Sequence, residues 1–232
     1  MKALIDADTP IYSVAIVSED DSLNYAIARL DKMIYSIIES SGATEATLFV
    51  SGDNNFRNTI YPEYKANRKA PKPQFLKDCQ EYAQEKMNAE IAPEGLEADD
   101  ALGIHQTKET IICSLDKDLL QIPGKHFQWE ISGKNWSKPD TFIDQHYIDG
   151  MRLFYEQCIK GDRTDNIKGI EGLGEAKSKK LMAKYDDEIA MFKRVRELYG
   201  NDPEFLMNAR VLWIKRHLDD DFQDRFDALI QE

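Results

Sequence analysis

The feature that most limits what this chain can fold into is an alternation of two hydrophobic periods. Ala3-Leu4-Ile5 reads as a short buried strand running into Asp6. Residues 47–51 read as a second strand, followed at once by Gly52-Asp53. Residues 90–92 supply a third and residues 110–114 a fourth, with Leu115-Asp116-Lys117-Asp118 directly beyond it. Between the first two, Leu23, Ala26, Ile27, Leu30, Ile34, Ile37 and Ile38 keep helical spacing until Ser41-Gly42 stops it. Further helices are expected within residues 73–88 and from Glu97 onward. Strands alternating with helices predict an α/β fold, with a mainly parallel sheet flanked by helices. Past about Pro139 the pattern turns helical, over residues 144–160, 175–184, 188–199 and 203–218, and residues 126–137 suggest a hairpin turning at Ser132-Gly133-Lys134. The expected division is a sheet domain over 1–140 and a helical region over 141–232.

The acids follow that pattern. Asp6, Asp53 and Asp116 each come just after a predicted strand, and Glu97-Ala98-Asp99-Asp100 follows the remaining one by a short loop. In open parallel sheets the ligand crevice lies outside the carboxyl ends of the strands. All four clusters should therefore meet at one edge. Alone, Glu97-Ala98-Asp99-Asp100 would be an acidic helix cap. Gathered with the others, these acids need something positive to offset their repulsion. Carboxylates without a His or Cys ligand cluster suit hard, oxygen-preferring cations, Mg²⁺ or Mn²⁺. Two such ions about 3.5–4 Å apart would activate a water and stabilise the leaving oxygen of a phosphodiester. Gly161-Asp162-Arg163-Thr164-Asp165-Asn166 adds two more acids in a glycine-opened loop.

A formal net charge of -12 argues globally against a nucleic-acid partner, but the charge is unevenly spread. Between Arg57 and Lys77, six basic residues (Arg57, Lys65, Arg68, Lys69, Lys72, Lys77) are opposed only by Glu63 up to residue 77, with Phe56, Tyr61, Tyr64 and Phe75 interleaved. Basic residues among aromatics suit a surface that tracks a strand, although such a segment can also be a plain exposed loop with its aromatics turned inward. Gly169-Ile170-Glu171-Gly172-Leu173-Gly174 precedes a helix carrying Lys177, Lys179, Lys180 and Lys184. Glycines there let backbone approach a phosphate and helix amides receive it, or simply turn a helical corner. Three cysteines without metal-ligand spacing (Cys79, Cys113, Cys158), no charged-then-apolar leader and no membrane-length apolar run lead to an expectation of reduced thiols in a cytoplasmic protein, with no membrane partner.

Taken together, Tyr64-Lys65-Ala66-Asn67-Arg68, Glu97-Ala98-Asp99-Asp100, Leu115-Asp116-Lys117-Asp118 and Gly161 to Asn166 resemble, in order, the motifs of the flap endonuclease family of structure-specific 5′ nucleases. The family includes the 5′ nuclease domains of bacterial DNA polymerases and phage 5′-to-3′ exonucleases, and the short chain looks most like the latter. The resemblance implies a PIN-like, Rossmann-like catalytic domain with a C-terminal helix–hairpin–helix. It implies Asp6, Asp53, Glu97 and Asp99 as ligands of a first Mg²⁺, Asp116, Asp118, Asp162 and Asp165 as ligands of a second, and Asp100 as an acid in an outer role. Lys65 and Arg68 would contact the scissile phosphate at the base of an arch-like segment, 57–88, with Arg57, Tyr64 and Lys69 beside the DNA. Gly169, Gly172, Gly174, Lys177 and Lys179 would hold the duplex backbone, with K⁺ on the backbone of Ile170 and Gly172.

The implied substrates are duplex DNA with 5′ ends, nicks, gaps or flaps, and RNA–DNA hybrids. The implied setting is phage DNA replication, primer removal or host DNA degradation, in the host cytoplasm and beside replication proteins. Two departures stand out. Lys168-Gly169-Ile170-Glu171 stands where relatives carry a proline, and the span from Arg68 to Glu97 is short, which implies a reduced arch and an exonuclease acting from 5′ ends with flap cleavage second.

Two rival readings remain open at this point. Asp6-Ala7-Asp8-Thr9 and Gly161-Asp162 with Asp165 resemble motifs of haloacid dehalogenase-type phosphatases, but Thr9 comes one place early and the second motif lies among helices. A non-catalytic binder of branched or nicked DNA would use the basic face alone, yet would gain nothing from an anionic crevice that repels phosphate.

Overall fold

The computed structural model describes residues 1–232. In chain order the strands are β1 (Lys2–Asp6), β2 (Glu45–Val50), β3 (Glu90–Ile91), β4 (Thr110–Cys113), β5 (Gly124–Gln128), β6 (Ile131–Gly133), β7 (Trp136–Lys138), β8 (Thr141–Gln145), β9 (Gly161–Asp162) and β10 (Ile167–Lys168). The helices are α1 (Asp8–Val17), α2 (Leu23–Ser41), α3 (Arg57–Ile60), α4 (Leu76–Lys86), α5 (Ala98–His105), α6 (Tyr147–Lys160), α7 (Glu175–Met182), α8 (Glu188–Tyr199), α9 (Asp202–Leu212) and α10 (Phe222–Ile230), with a 3₁₀ turn at Lys117–Gln121.

Six strands form the main sheet in the order β3-β2-β1-β4-β5-β8. All neighbours are parallel except β5 and β8. Side chains alternate across it as the period of two requires. Ala3, Ile5, Leu48, Val50, Ile111 and Cys113 pack into one core with residues of α1, α2 and α4. Leu4, Phe49 and Ile112 face the other way, toward α5 and the 3₁₀ turn. A one-residue slip would exchange the two sets, so the register is pinned. Ile5 stands opposite Cys113 and Asp6 opposite Phe49, which brings the ends of β1, β2 and β4 to one edge.

A third core joins α6 to α10 through Phe154, Tyr155, Phe192, Phe205 and Phe222. The two halves interlock: Tyr64 packs into the helical core, and Ile214 packs into the sheet core. Gly103 of α5 lies where an added Cβ would meet the Lys215 carbonyl oxygen at 2.4 Å, so α5 and the 214–215 segment sit backbone to backbone.

The structure corrects several expected boundaries. Helix α1 starts two residues past β1; its nearly continuous apolar run hides the helical period. The region expected as helix from residue 144 begins as β8, paired with β5, and α6 starts only at Tyr147. Residues 126–137 divide between β5 and a hairpin of β6 and β7 that turns at Lys134-Asn135. The helix expected over 203–218 stops at Leu212, because the Val211 and Trp213 carbonyls are taken by Arg57 and the Lys215 amide by Asp100. Chain that spends its backbone groups on distant partners cannot continue a helix. No helix is long and apolar enough to cross a membrane.

Candidate active site

At the carboxyl edge of the sheet, β1 delivers Asp6, whose Oδ2 accepts hydrogen bonds from the Thr9 hydroxyl at 2.8 Å and the Ser114 hydroxyl at 2.9 Å. Ser114 lies there because Cys113 is in register with Ile5. Just past Ser114, Asp116 Oδ1 accepts the amide of Asp118 at 2.8 Å, and the 3₁₀ turn begins. The loop between β9 and β10 makes a similar turn: Asp162 Oδ1 accepts the Thr164 amide at 2.6 Å. Glu97, Asp99, Asp116, Asp118, Asp162 and Asp165 line one cleft of about 170 Å³. They come from three segments far apart in sequence. Asp6 is not itself among the residues lining the cleft, but it is close enough to raise the proton affinity of Asp99 and Asp116.

One wall is the basic motif. The Lys65 ammonium pairs with Glu97 and lies 3.8 Å from Asp165; Arg68 pairs with Asp165 at 2.5 Å. Lys65 holds a left-handed backbone, φ +57, a conformation that costs a non-glycine residue roughly 1–3 kcal/mol. Its amide donates to the Asp165 carbonyl at 3.0 Å, so the loop bearing Asp165 fixes it. The Tyr64 hydroxyl is 2.8 Å from Glu97 and 3.0 Å from Asp165. One proton cannot serve two carboxylates, and burial with both anions raises the phenol's proton affinity.

Electrostatics divide the acids. Burial pushes Asp99 well up, and Asp6, Asp116 and Glu97 add to it. Asp118 is pushed up to about 7 by burial, then by Asp116 and Asp162. Asp116, open to solvent on one side, is also raised, first by the protein crowded around it and then, net of a lowering bond from the Asp118 amide, by Asp6, Asp165 and Asp162. Burial would raise Glu97 too, but Lys65 and Arg57 outweigh it and hold it low.

The donor set fits a hard divalent cation. The cleft is lined by carboxylate oxygens with no His or Cys among them, and Asp118 Oδ1 is buried without a well-formed hydrogen bond, although the Gln157 side chain stands near that carboxyl. No three of the acids are drawn together as a ready-made coordination sphere. Glu97 and Asp165 are instead turned toward Lys65 and Arg68.

A match to the family described as "5'-3' exonuclease, N-terminal resolvase-like domain" covers residues 5–151, more than half of the chain. The chain belongs to the 5′-3′ exonuclease family. Among curated relatives, DNA polymerase I of Rhizobium leguminosarum is 26% identical over 192 residues, 75% of this chain and 19% of the polymerase. Flap endonuclease Xni of Pseudoalteromonas translucida is 27% identical over 183 residues, 72% of this chain and 69% of that protein. The chain thus spans about a fifth of the first relative and over two thirds of the second. Among solved structures, T5 5′-exonuclease with bound divalent metal ions (zinc) has TM-score 0.68 and 16% identity, covering 100% of this chain and 99% of that one. It shares the fold: a mostly parallel sheet flanked by helices.

Within this family member, several residues do not sit where the motifs suggested. Asp53, expected as a metal ligand, is exposed and outside the cleft: Ser51 turns inward instead, its amide on Asp8 at 3.0 Å and its hydroxyl accepting the Ala98 amide at 2.9 Å, and the chain bends outward after it. Asp100, also grouped with the metal acids, is fully buried. Its oxygens accept both terminal nitrogens of Arg57, at 2.6 and 2.9 Å, and the Lys215 amide at 3.2 Å. Arg57 is therefore no DNA contact: it is 3% exposed and also donates to the Val211 and Trp213 carbonyls. Tyr64 is buried between the halves and offers no stacking face.

Gly169 serves packing, since an added Cβ would lie 2.2 Å from the Lys160 carbonyl carbon. Gly172, at φ +77, and Gly174 have open space around them, and Lys69, Lys177 and Lys179 are exposed. Of the carbonyls expected to hold K⁺, Ile170 accepts the Leu173 amide and Gly172 the exposed Lys177 ammonium at 2.9 Å, so a cation there would share the first oxygen and displace the lysine from the second. Asp8 was missed. Half-buried near Glu97 and Lys65, it had only one signal, an acid two residues beyond a strand exit.

Proposed function

We propose that this chain is a divalent-metal-dependent 5′ nuclease that hydrolyses DNA phosphodiesters near 5′ ends, as an exonuclease and on flaps. One observation carries the reading: six carboxylates from three remote segments line one cleft whose wall is Lys65 and Arg68. Asp6, Glu97 and Asp99 form one group able to hold Mg²⁺ or Mn²⁺, and Asp116, Asp118, Asp162 and Asp165 a second. Ions bound there would supply an activated water and charge stabilisation at the leaving oxygen. Lys65 and Arg68, now paired with Glu97 and Asp165, are the cations within reach of a phosphate in the cleft, where charge develops in the transition state. Tyr64, touching one acid of each group, keeps the two in register.

The sheet half carries the chemistry in this reading and the helical half the grip on duplex. Support for the grip is the bare backbone at Gly172 and Gly174, the start of α7, and exposed Lys177 and Lys179. The relatives named as an exonuclease and a flap endonuclease point the same way. The deciding experiment is digestion of 5′-labelled duplex, flap and single-stranded DNA with Mg²⁺ and with chelator. Stepwise shortening from the 5′ end in Mg²⁺ alone is expected; binding without cleavage under every condition would leave a DNA-binding protein instead.

A further inference from the structure

The link between the basic motif and α4 is anchored at both ends. On one side the Asn67 side chain donates to the Arg163 carbonyl at 2.7 Å, Arg68 pairs with Asp165, and the Lys69 amide donates to the Asn67 carbonyl at 3.0 Å. On the other, Pro73 is buried and its carbonyl accepts the Leu76 amide at 3.2 Å, while Phe75 and Leu76 pack against the sheet core. Lys69, Ala70, Pro71 and Lys72 remain, all exposed. From Arg68 to Pro73 such a chain reaches at most about 17–18 Å when fully extended. Closing over a nucleic-acid strand means rising past phosphate, sugar and base and coming back down, with room for the strap's own side chains, a path on the order of twice that reach. The prolines also deny the strap a helical turn of its own. It cannot frame an opening through which a strand is passed end first.

We infer that a strand enters the acid cleft sideways, so that cutting needs no free 5′ terminus. The substrate class is a single-stranded stretch joined to duplex whose 5′ end is capped or absent, such as a bulky-capped flap or a gap in a closed circle. The inference rests on the nuclease reading and adds an internal-cutting activity to it. The step is hydrolysis: a water oxygen bonds to phosphorus, the P–O3′ bond breaks, and a proton ends on the 3′ oxygen. The products carry a 3′-hydroxyl and a 5′-phosphate. Lys69 and Lys72 sit on the strap where they would meet the passing backbone.

The test is a 5′-biotinylated flap in Mg²⁺, free or bound to streptavidin before the enzyme is added. Initial rates on the two are expected to agree within about twofold. Loss of about tenfold or more on the capped flap, with the free flap still cut, overturns lateral entry and leaves the nuclease reading standing. Cleavage of neither sinks the nuclease reading, and this inference with it.

Discussion

Asp99 and Asp100 are neighbours on the first turn of α5, and their surroundings are opposite. Asp100 points into the joint between the halves, where Arg57 meets both oxygens and the Lys215 amide completes the set. Asp99 faces the cleft, where Asp6, Asp116 and Glu97 repel its charge and Lys65 offsets them in part. Burying a carboxylate is costly either way; at Asp100 partners built into the fold meet that cost, and at Asp99 none of comparable strength does. An acid satisfied by the protein has nothing left to offer a ligand. An acid the protein leaves in the company of like charges does.

The sharpest way to break this contrast is to neutralise one acid on each side. Asp118→Asn keeps an oxygen in place and removes a charge that is repelled by Asp116 and Asp162. Cleavage should fall by about a thousandfold, roughly 4 kcal/mol of barrier, while the melting temperature holds or rises. Turnover near the parent's in Mg²⁺ would remove Asp118 from the site. Arg57→Met should do the reverse. It strands Asp100 in the interior and should cost about 3–5 kcal/mol of stability by denaturant titration, and adding Asp100→Leu should recover much of it. A salt dependence of DNA binding that changes on Arg57→Met in still-folded protein would restore the arginine to the DNA surface.

The cleft should also mark the pH profile of stability. Asp6, Asp8, Asp99, Asp116 and Asp118 all have folded-state pKa values above their ordinary ones, with Asp118 at about 7. Such groups bind protons more tightly folded than unfolded, so these five acids lower stability as pH rises from about 4 to 7, opposed by buried His126, whose folded-state pKa is held below its ordinary value by burial. Glu97, Asp202 and Asp221 are shifted down, and their contribution disappears only as pH falls below their ordinary values. In chelator, the melting temperature should therefore decline across that window, and less steeply in Asp118→Asn. A profile that rises instead would mean the acids are not crowded.

Much of the contrast was legible in the sequence, and its limits have physical causes. The central parallel strands and the acids at their ends follow from hydrophobic period and the rule that crevices open at strand termini. Arg57 was not legible as a core residue: it heads a basic run, and its partner lies 43 positions away. Asp53 and Ser51 are two residues apart, and only the bend after β2 decides which turns inward. The strand β8 and the early end of α9 depend on pairing with β5 and on the Arg57 clasp, both tertiary. Spacing finds what one element dictates; it misses what two distant elements settle between them.

The smallest expected effect lies on the helical half, far from either aspartate, and it separates gripping DNA from cutting it. Lys179 is exposed on α7 and makes no hydrogen bond, only a longer-range attraction to Glu156, whereas Lys177 donates to the Gly172 carbonyl at 2.9 Å and must let go first. Removing one lysine–phosphate pair should flatten the plot of log affinity against log salt by about 0.9 for duplex DNA. Lys179→Ala should therefore approach that change and Lys177→Ala fall short of it, both with turnover at saturating DNA close to the parent's. Equal slopes for both variants and the parent would detach α7 from the duplex, and a marked drop in turnover would place it in the chemistry that the cleft is here assigned alone.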